Sequence, residues 1–230
     1  MNIEDREHYL RTFEDLLYDA IYLLYFSFDT NQDDYKDDVI SPFVRSSIIN
    51  SVLLLECGAN CLIDALNLPG KYYNDIEKLP FLSKYEFFLN RINSNQIFDR
   101  GCKEVQAIAE LKSIRDFYVH PTVKKAKYQK IGDDMWDADF GKTNILGFPR
   151  EPRKWGRDHA IVAIKSVNDF YNTFFLTWCN LTSEAVVDLL LSSDKANLKC
   201  PQGAYIDCIG GLDRAVKEWS IDFKFLGKKV

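Results

Sequence analysis

The sequence predicts a mainly α-helical protein: an up-down helical bundle with a long insertion after its fourth helix and a small irregular C-terminal extension. Three observations predict it. Apolar residues recur at three- and four-residue steps through most of the first 190 positions. Helix-start signals stand where those runs begin, at Ser41-Pro42, Leu79-Pro80 and Thr182-Ser183. Strand-like alternation is confined to the last thirty or so residues. A chain of 230 residues that is 47% hydrophobic and 14% aromatic can bury one sizeable core. We therefore expect a bundle over 1–193, interrupted by an insertion at about 121–156, with 194–230 packed on the same domain.

The first helix is expected from about 4 to 28, where Leu10, Phe13, Leu17, Ala20, Ile21, Leu24 and Phe28 share a face and Glu4 and Asp5 suit the positive end of the helix dipole. Asp29 to Asp38 is acidic but lacks the ligand order and central Gly of a calcium loop, so it reads as a solvated connector. Ser41 as N-cap and Pro42 at the first helical position open a second helix running to about Asn67. Ile48, Ile49, Val52, Leu53, Leu55, Cys57, Ala59, Leu62, Ile63 and Leu66 make it apolar around much of its circumference, which is the mark of a central helix. Gly58 inside it predicts close approach by another helix. Leu68-Pro-Gly70 ends it, and a shorter helix follows over about 80–93 through Leu82, Tyr85, Phe88, Leu89 and Ile92.

The fourth helix carries Val105, Ile108, Leu111, Ile114, Tyr118 and Val119 on one stripe and ends at His120, because Pro121 disfavours the α conformation there. Between His120 and Arg157 no period is sustained, and a loop this long is uncommon in a compact domain. Trp136, Phe140, Phe148 and Trp155 predict that it packs on the body, placed to cover whatever Arg115 and His120 face. A fifth helix is expected over about 157–180 through Ile161, Ile164, Val167, Tyr171, Phe174, Phe175 and Trp178, and a sixth from Thr182-Ser183 to about Leu191. Ala204 to Ile209 and Ile221 to Phe225 read as short strands, with a small helix after Gly210-Gly211.

The net charge of −5 argues against a dedicated duplex-binding protein, while Lys124, Lys125 and Lys127, and the basic residues from Arg150 to Arg157, form local patches able to attract a polyanion. The longest apolar run stops at Glu56, and Met1-Asn-Ile-Glu-Asp-Arg6 does not read as a signal peptide, so the expectation is a cytoplasmic protein without membrane association. The six cysteines form no CxxC pair and have no neighbouring His at ligand spacing; free thiols, no metal and no cofactor are expected. Cys57 and Cys61, one helical turn apart, read as packing residues of a helix face.

The chemistry is concentrated in Leu111-Lys-Ser-Ile-Arg115-Asp-Phe-Tyr-Val-His120. Arg115 falls near the middle of an apolar stripe, where an unpaired charge is very costly, so it requires a carboxylate, a phosphate or a subunit boundary. His120 stands at the negative end of the helix dipole. On an ideal helix the two lie about 140° apart, so spacing alone does not join them. A salt bridge to Glu14, Glu56 or Asp64 for Arg115 and a capping contact for His120 are the structural alternatives. His159, in the first turn of its helix, is a rival catalytic candidate.

The order of these features resembles the HEPN superfamily: a long helix, then Val52-Leu-Leu-Leu-Glu-Cys-Gly-Ala-Asn-Cys-Leu-Ile-Asp64, a shorter helix around Leu82-Ser-Lys-Tyr85, then Leu111 to His120 with an Arg-x4-His signature. The likeness is best over about 40–120. It implies a metal-independent endoribonuclease site assembled across a homodimer, in toxin, phage-defence or RNA-processing systems, with an antitoxin or other protein as partner. Arg115, Asp116 and His120 are then the catalytic residues, with Lys124, Lys125 and Lys127 binding RNA. The family also includes non-catalytic binding and dimerisation modules. One group modifies a Tyr two residues after the His; that position is Thr122 here, so the same regulation is not implied.

Overall fold

The structure is a computed structural model and describes residues 8–29, 36–120, 123–196, 198 and 210–227. Among these residues the chain is all-α in character, with eight α-helices and one small hairpin: α1 (Phe13–Asp29), α2 (Lys36–Ala65), α3 (Gly70–Ile76), α4 (Phe81–Ile92), α5 (Lys103–Val119), β1 (Tyr128–Lys130), β2 (Trp136–Ala138), α6 (Arg157–Tyr171), α7 (Ser183–Leu191) and α8 (Gly210–Trp219). As its apolar circumference predicts, α2 is the central helix, packed against α1, α4, α5, α6 and α7. The stretch Ile40–Ala65 is long and apolar enough to cross a membrane by length and composition, but most of it is buried inside the bundle.

Gly58 serves the close approach its position predicts. A Cβ built there would lie 2.6 Å from the Tyr171 hydroxyl and 2.8 Å from that of Tyr85. Both hydroxyls donate to carbonyls of the preceding turn of α2, Tyr171 to Leu54 at 2.6 Å and Tyr85 to Leu55 at 2.8 Å. Two wholly buried phenols thus have partners for their polar ends, which removes the desolvation cost of burying them.

Several boundaries differ from the sequence expectation. The helix expected from residue 4 begins at Phe13, because residues 9–11 are held out along the end of α7: Tyr9 N donates to Ser193 O at 2.8 Å, and Arg11 donates to the carbonyls of Ser192 and Asp194. The second helix starts at Lys36, so Pro42 lies inside it and Ser41 is no cap; its hydroxyl accepts from Arg45 instead. With one helical turn before it, Pro42 removes one early backbone bond without ending the helix. The seven-residue α3 lacks any buried residue, and so left no periodic signal.

The fifth helix divides into α6 and a π-helical segment, Asn172–Trp178, that carries Phe174, Phe175 and Trp178 into the core. Thr182 caps α7, accepting from Ala185 N at 3.3 Å. The expected strand over Ile221–Phe225 is irregular chain leading into a 3₁₀ turn at Lys224–Leu226. Its alternation is real, since Ile221, Phe223 and Phe225 are buried. These side chains pack on helices, and Asn172 accepts from Phe225 N and donates to Asp222 O, contacts that no strand partner supplies. The expected strand at Ala204 to Ile209 lies outside the described residues. The small helix after Gly210-Gly211 is α8.

The insertion packs through Phe148 and Trp155, both buried, as expected, but Trp136 is 61% exposed. Its anchor is Glu110 on α5, whose carboxylate accepts from the backbone N–H groups of Asn144, Ile145 and Leu146. Tyr118 meets Trp155 with ring centroids 5.8 Å apart, which fixes the other end of the insertion to the last turn of α5.

Candidate functional site

Arg115, Asp116 and His120 occupy the last turn and C-cap of α5. Val105, Ile108, Leu111 and Ile114 are buried along the predicted stripe, which then leaves the bundle, so Tyr118 and Val119 are exposed. Arg115 sits at that boundary with 15% of its side chain exposed. Of the three carboxylates that sequence offered as partners, the structure selects Glu56 on α2, which accepts from Arg115 Nη2. Glu14 is exposed, and Asp64 pairs with Arg11.

Asp116 sits between two cations. Its Oδ1 lies 3.0 Å from Arg115 Nε, an ion pair without hydrogen-bond geometry, and its Oδ2 accepts from Lys112 one turn back. Arg115 Nη1 has no hydrogen bond to any described residue. The Lys contact was missed in the sequence, where the i, i+4 spacing of Lys112 and Asp116 could have signalled it.

His120 ends the helix with φ −105° and ψ 84°, and its backbone N–H donates to Asp116 O at 3.1 Å. The imidazole is exposed and unbonded among the described residues, so the insertion does not cover it. Lys124, Lys125 and Lys127 follow, all exposed, with Lys124 Nζ 5.1 Å from the centroid of the Phe117 ring. His159 is half-buried: its Nδ1 accepts from Gly156 N at 2.9 Å and its ring meets Phe148 at 5.0 Å. Burial holds its pKa below the ordinary imidazole value. A histidine so engaged is a structural cap.

Glu56 also lines a cleft of about 530 Å³ with Arg11, Thr12, Cys57, Asn60, Cys61, Asp64 and Tyr73. The Arg11 side chain is 5% exposed and pairs with Asp64 at 3.3 Å. Thr12 Oγ1 lies 3.6 Å from Cys57 Sγ. The hydrogen bond from the Cys61 thiol lowers Cys57 to about 7; burial opposes this, and Thr12 and the positive charge of Arg11 assist it. The same bond, together with burial, pushes Cys61 far up. Both cysteines pack on the core as expected, and Cys57 is the one whose thiol is held below its ordinary value. No sequence signal pointed to it, because Thr12 and Arg11 arrive from a segment expected to be helix. Among the described residues no three His, Cys, Asp or Glu side chains come together to hold a metal ion.

No family model matches the chain, and no curated protein or solved structure matches it.

Proposed function

We propose that this chain is a metal-independent endoribonuclease of HEPN type, acting as a cytoplasmic homodimer in a toxin or phage-defence system. The observation that carries the reading is the end of α5. There Arg115 is held by Glu56, an exposed His120 follows at the helix terminus, and exposed lysines come next.

Cleaving RNA without a metal requires a base for the 2′-hydroxyl, an acid for the leaving 5′-oxygen and a cation for the charge that builds on phosphorus. His120 takes or returns the proton, and a second copy across the dimer supplies the other member of the acid–base pair. Arg115 Nη1 binds the phosphate, Glu56 and Asp116 position the guanidinium, and Lys124, Lys125 and Lys127 guide the strand.

The test is RNA incubated with purified protein in EDTA. Wild type should cleave and leave 2′,3′-cyclic phosphate ends, while His120→Ala should lose about 100-fold or more. Intact RNA with wild type, or equal cleavage by the variant, overturns the reading.

A second reading, a non-catalytic HEPN-like module that binds a protein partner such as an antitoxin, or a nucleotide, is favoured by the pairing of Arg115 with carboxylates of its own chain. It predicts that Arg115→Ala abolishes partner binding in a protein that never cleaves RNA.

A further inference from the structure

The β1–β2 hairpin has two unlike faces. Its antiparallel register pairs Tyr128 with Ala138, Gln129 with Asp137 and Lys130 with Trp136. Side chains alternate across a strand, so Tyr128, Lys130, Trp136 and Ala138 share one face while Gln129 and Asp137 share the other. Asp137 is tied to the body: its carboxylate accepts from Lys154 Nζ, which also donates to Ala138 O at 3.3 Å. Gln129 on the Asp137 face is exposed, and on the other face both aromatics are turned to solvent. Tyr128 is 73% exposed and Trp136 61%.

An outward aromatic pair has an apolar cost unless something covers it, and the surrounding charge says what fits. Lys124, Lys125, Lys127 and Lys130 are exposed on the chain leading into and through β1. Lys154, which pairs with Asp137 and Glu151, also lines a cleft of about 700 Å³ with Arg45 and Arg153. Cations spaced around flat aromatic rings are the arrangement that holds an unpaired nucleic-acid strand, with bases on the rings and phosphates on the lysines.

We infer that this hairpin is a binding platform for single-stranded RNA, on which Tyr128 and Trp136 stack bases while Lys124, Lys127 and Lys130 contact phosphates. The inference rests on the ribonuclease reading and names its substrate class. In sequence, Lys124, Lys125 and Lys127 stand between His120 and the platform. Paired bases cannot open onto the rings, so duplex RNA is the poorer ligand.

The experiment is fluorescence anisotropy of a fluorescein-labelled twelve-nucleotide oligouridylate, with EDTA present and His120→Ala as the reference protein. Trp136→Ala and Tyr128→Ala should each weaken binding about ten-fold, Trp136→Phe should stay within about two-fold, and a duplex of equal length should bind more weakly. Both positions are exposed, and circular dichroism checks that the fold is kept. Unchanged affinity in the Trp136→Ala, Tyr128→Ala double variant, equal binding of duplex, or no binding at all overturns the platform. A change of oligomeric state in light scattering with unaltered RNA affinity assigns the face to a second protein copy and likewise overturns it. Strand binding without cleavage by wild type removes the ribonuclease and keeps the platform, whereas cleavage with unchanged affinity in the double variant removes only the platform.

Discussion

Gly58→Ala adds one methyl group at the most crowded point of the bundle. In an exposed helix the change is stabilising by about 1 kcal/mol. Here the new Cβ would stand 2.6 Å from the Tyr171 hydroxyl and 2.8 Å from that of Tyr85, so both rings must withdraw. Their withdrawal strains two wholly buried side chains, an overpacking cost of about 1–3 kcal/mol. It also breaks or stretches the bonds to Leu54 O and Leu55 O, each contributing about 1 kcal/mol. Against the helix-propensity gain, the net destabilisation is about 2–4 kcal/mol, or on the order of 10 °C in melting temperature for a chain of this size. Urea and thermal unfolding followed by circular dichroism measure it. In a Tyr85→Phe, Tyr171→Phe background the methyl group gains room, and the cost of the same substitution should fall below about 1 kcal/mol. A Gly58→Ala protein as stable as wild type would falsify the close-packing argument.

Among the described cysteines, Cys57 should be the one that iodoacetamide labels first, with a rate at half its maximum near pH 7, while Cys61 and Cys179, both raised, stay unlabelled in the native protein. Peptide mapping by mass spectrometry reads this, and a Cys57 midpoint at or above the free-thiol value of about 8.5 rules it out. Glu110 gives a pH dependence of opposite sense to a buried acid. Burial raises its pKa, but the N–H groups of Leu146 and Ile145, the Thr143 hydroxyl and the N–H of Asn144 lower it further, so the folded value lies below the ordinary one. A depressed carboxylate stabilises the fold above its unfolded pKa of about 4.3, and that stabilisation is lost as pH falls through the folded value. Hydrogen exchange at residues 144–146 should therefore lose protection below about pH 4, and Glu110→Gln should lose it at neutral pH; protection that survives the substitution removes the anchor role.

The long helices were legible because each presents several turns of apolar spacing, and the end of α5 because Pro121 marks it. What sequence could not supply depended on contacts between distant segments. The start of α1 moved to Phe13 because Arg11 binds carbonyls at the end of α7, a partner some 180 positions away. The hairpin strands have three residues each, too few to show a period. At the site, the need of Arg115 for a carboxylate, a phosphate or a subunit boundary followed from its place on an apolar stripe. The choice of Glu56 over Glu14 and Asp64 did not, since it depends on the rotation of α2 against α5.

That choice bears on how the proposed site must work. A phosphate about 4 Å from the Arg115 guanidinium gains about 4 kcal/mol at an effective dielectric constant near 20, and a carboxylate about 6.5 Å from the same phosphate takes back about 2.5 kcal/mol. Two carboxylates, Glu56 and Asp116, therefore offset the attraction of Arg115, and Lys112 only neutralises the remainder. One copy of the motif is a well-positioned donor with little net pull on an anion. If the proposed function holds, the positive charge that draws RNA comes from elsewhere: from Lys124, Lys125, Lys127 and Lys130, or from the Arg115 of a second copy. This division of labour separates affinity from chemistry. Neutralising the lysines should weaken binding in a salt-dependent manner and leave the cleavage step of bound RNA little changed, whereas removing Arg115 or His120 should act on that step itself.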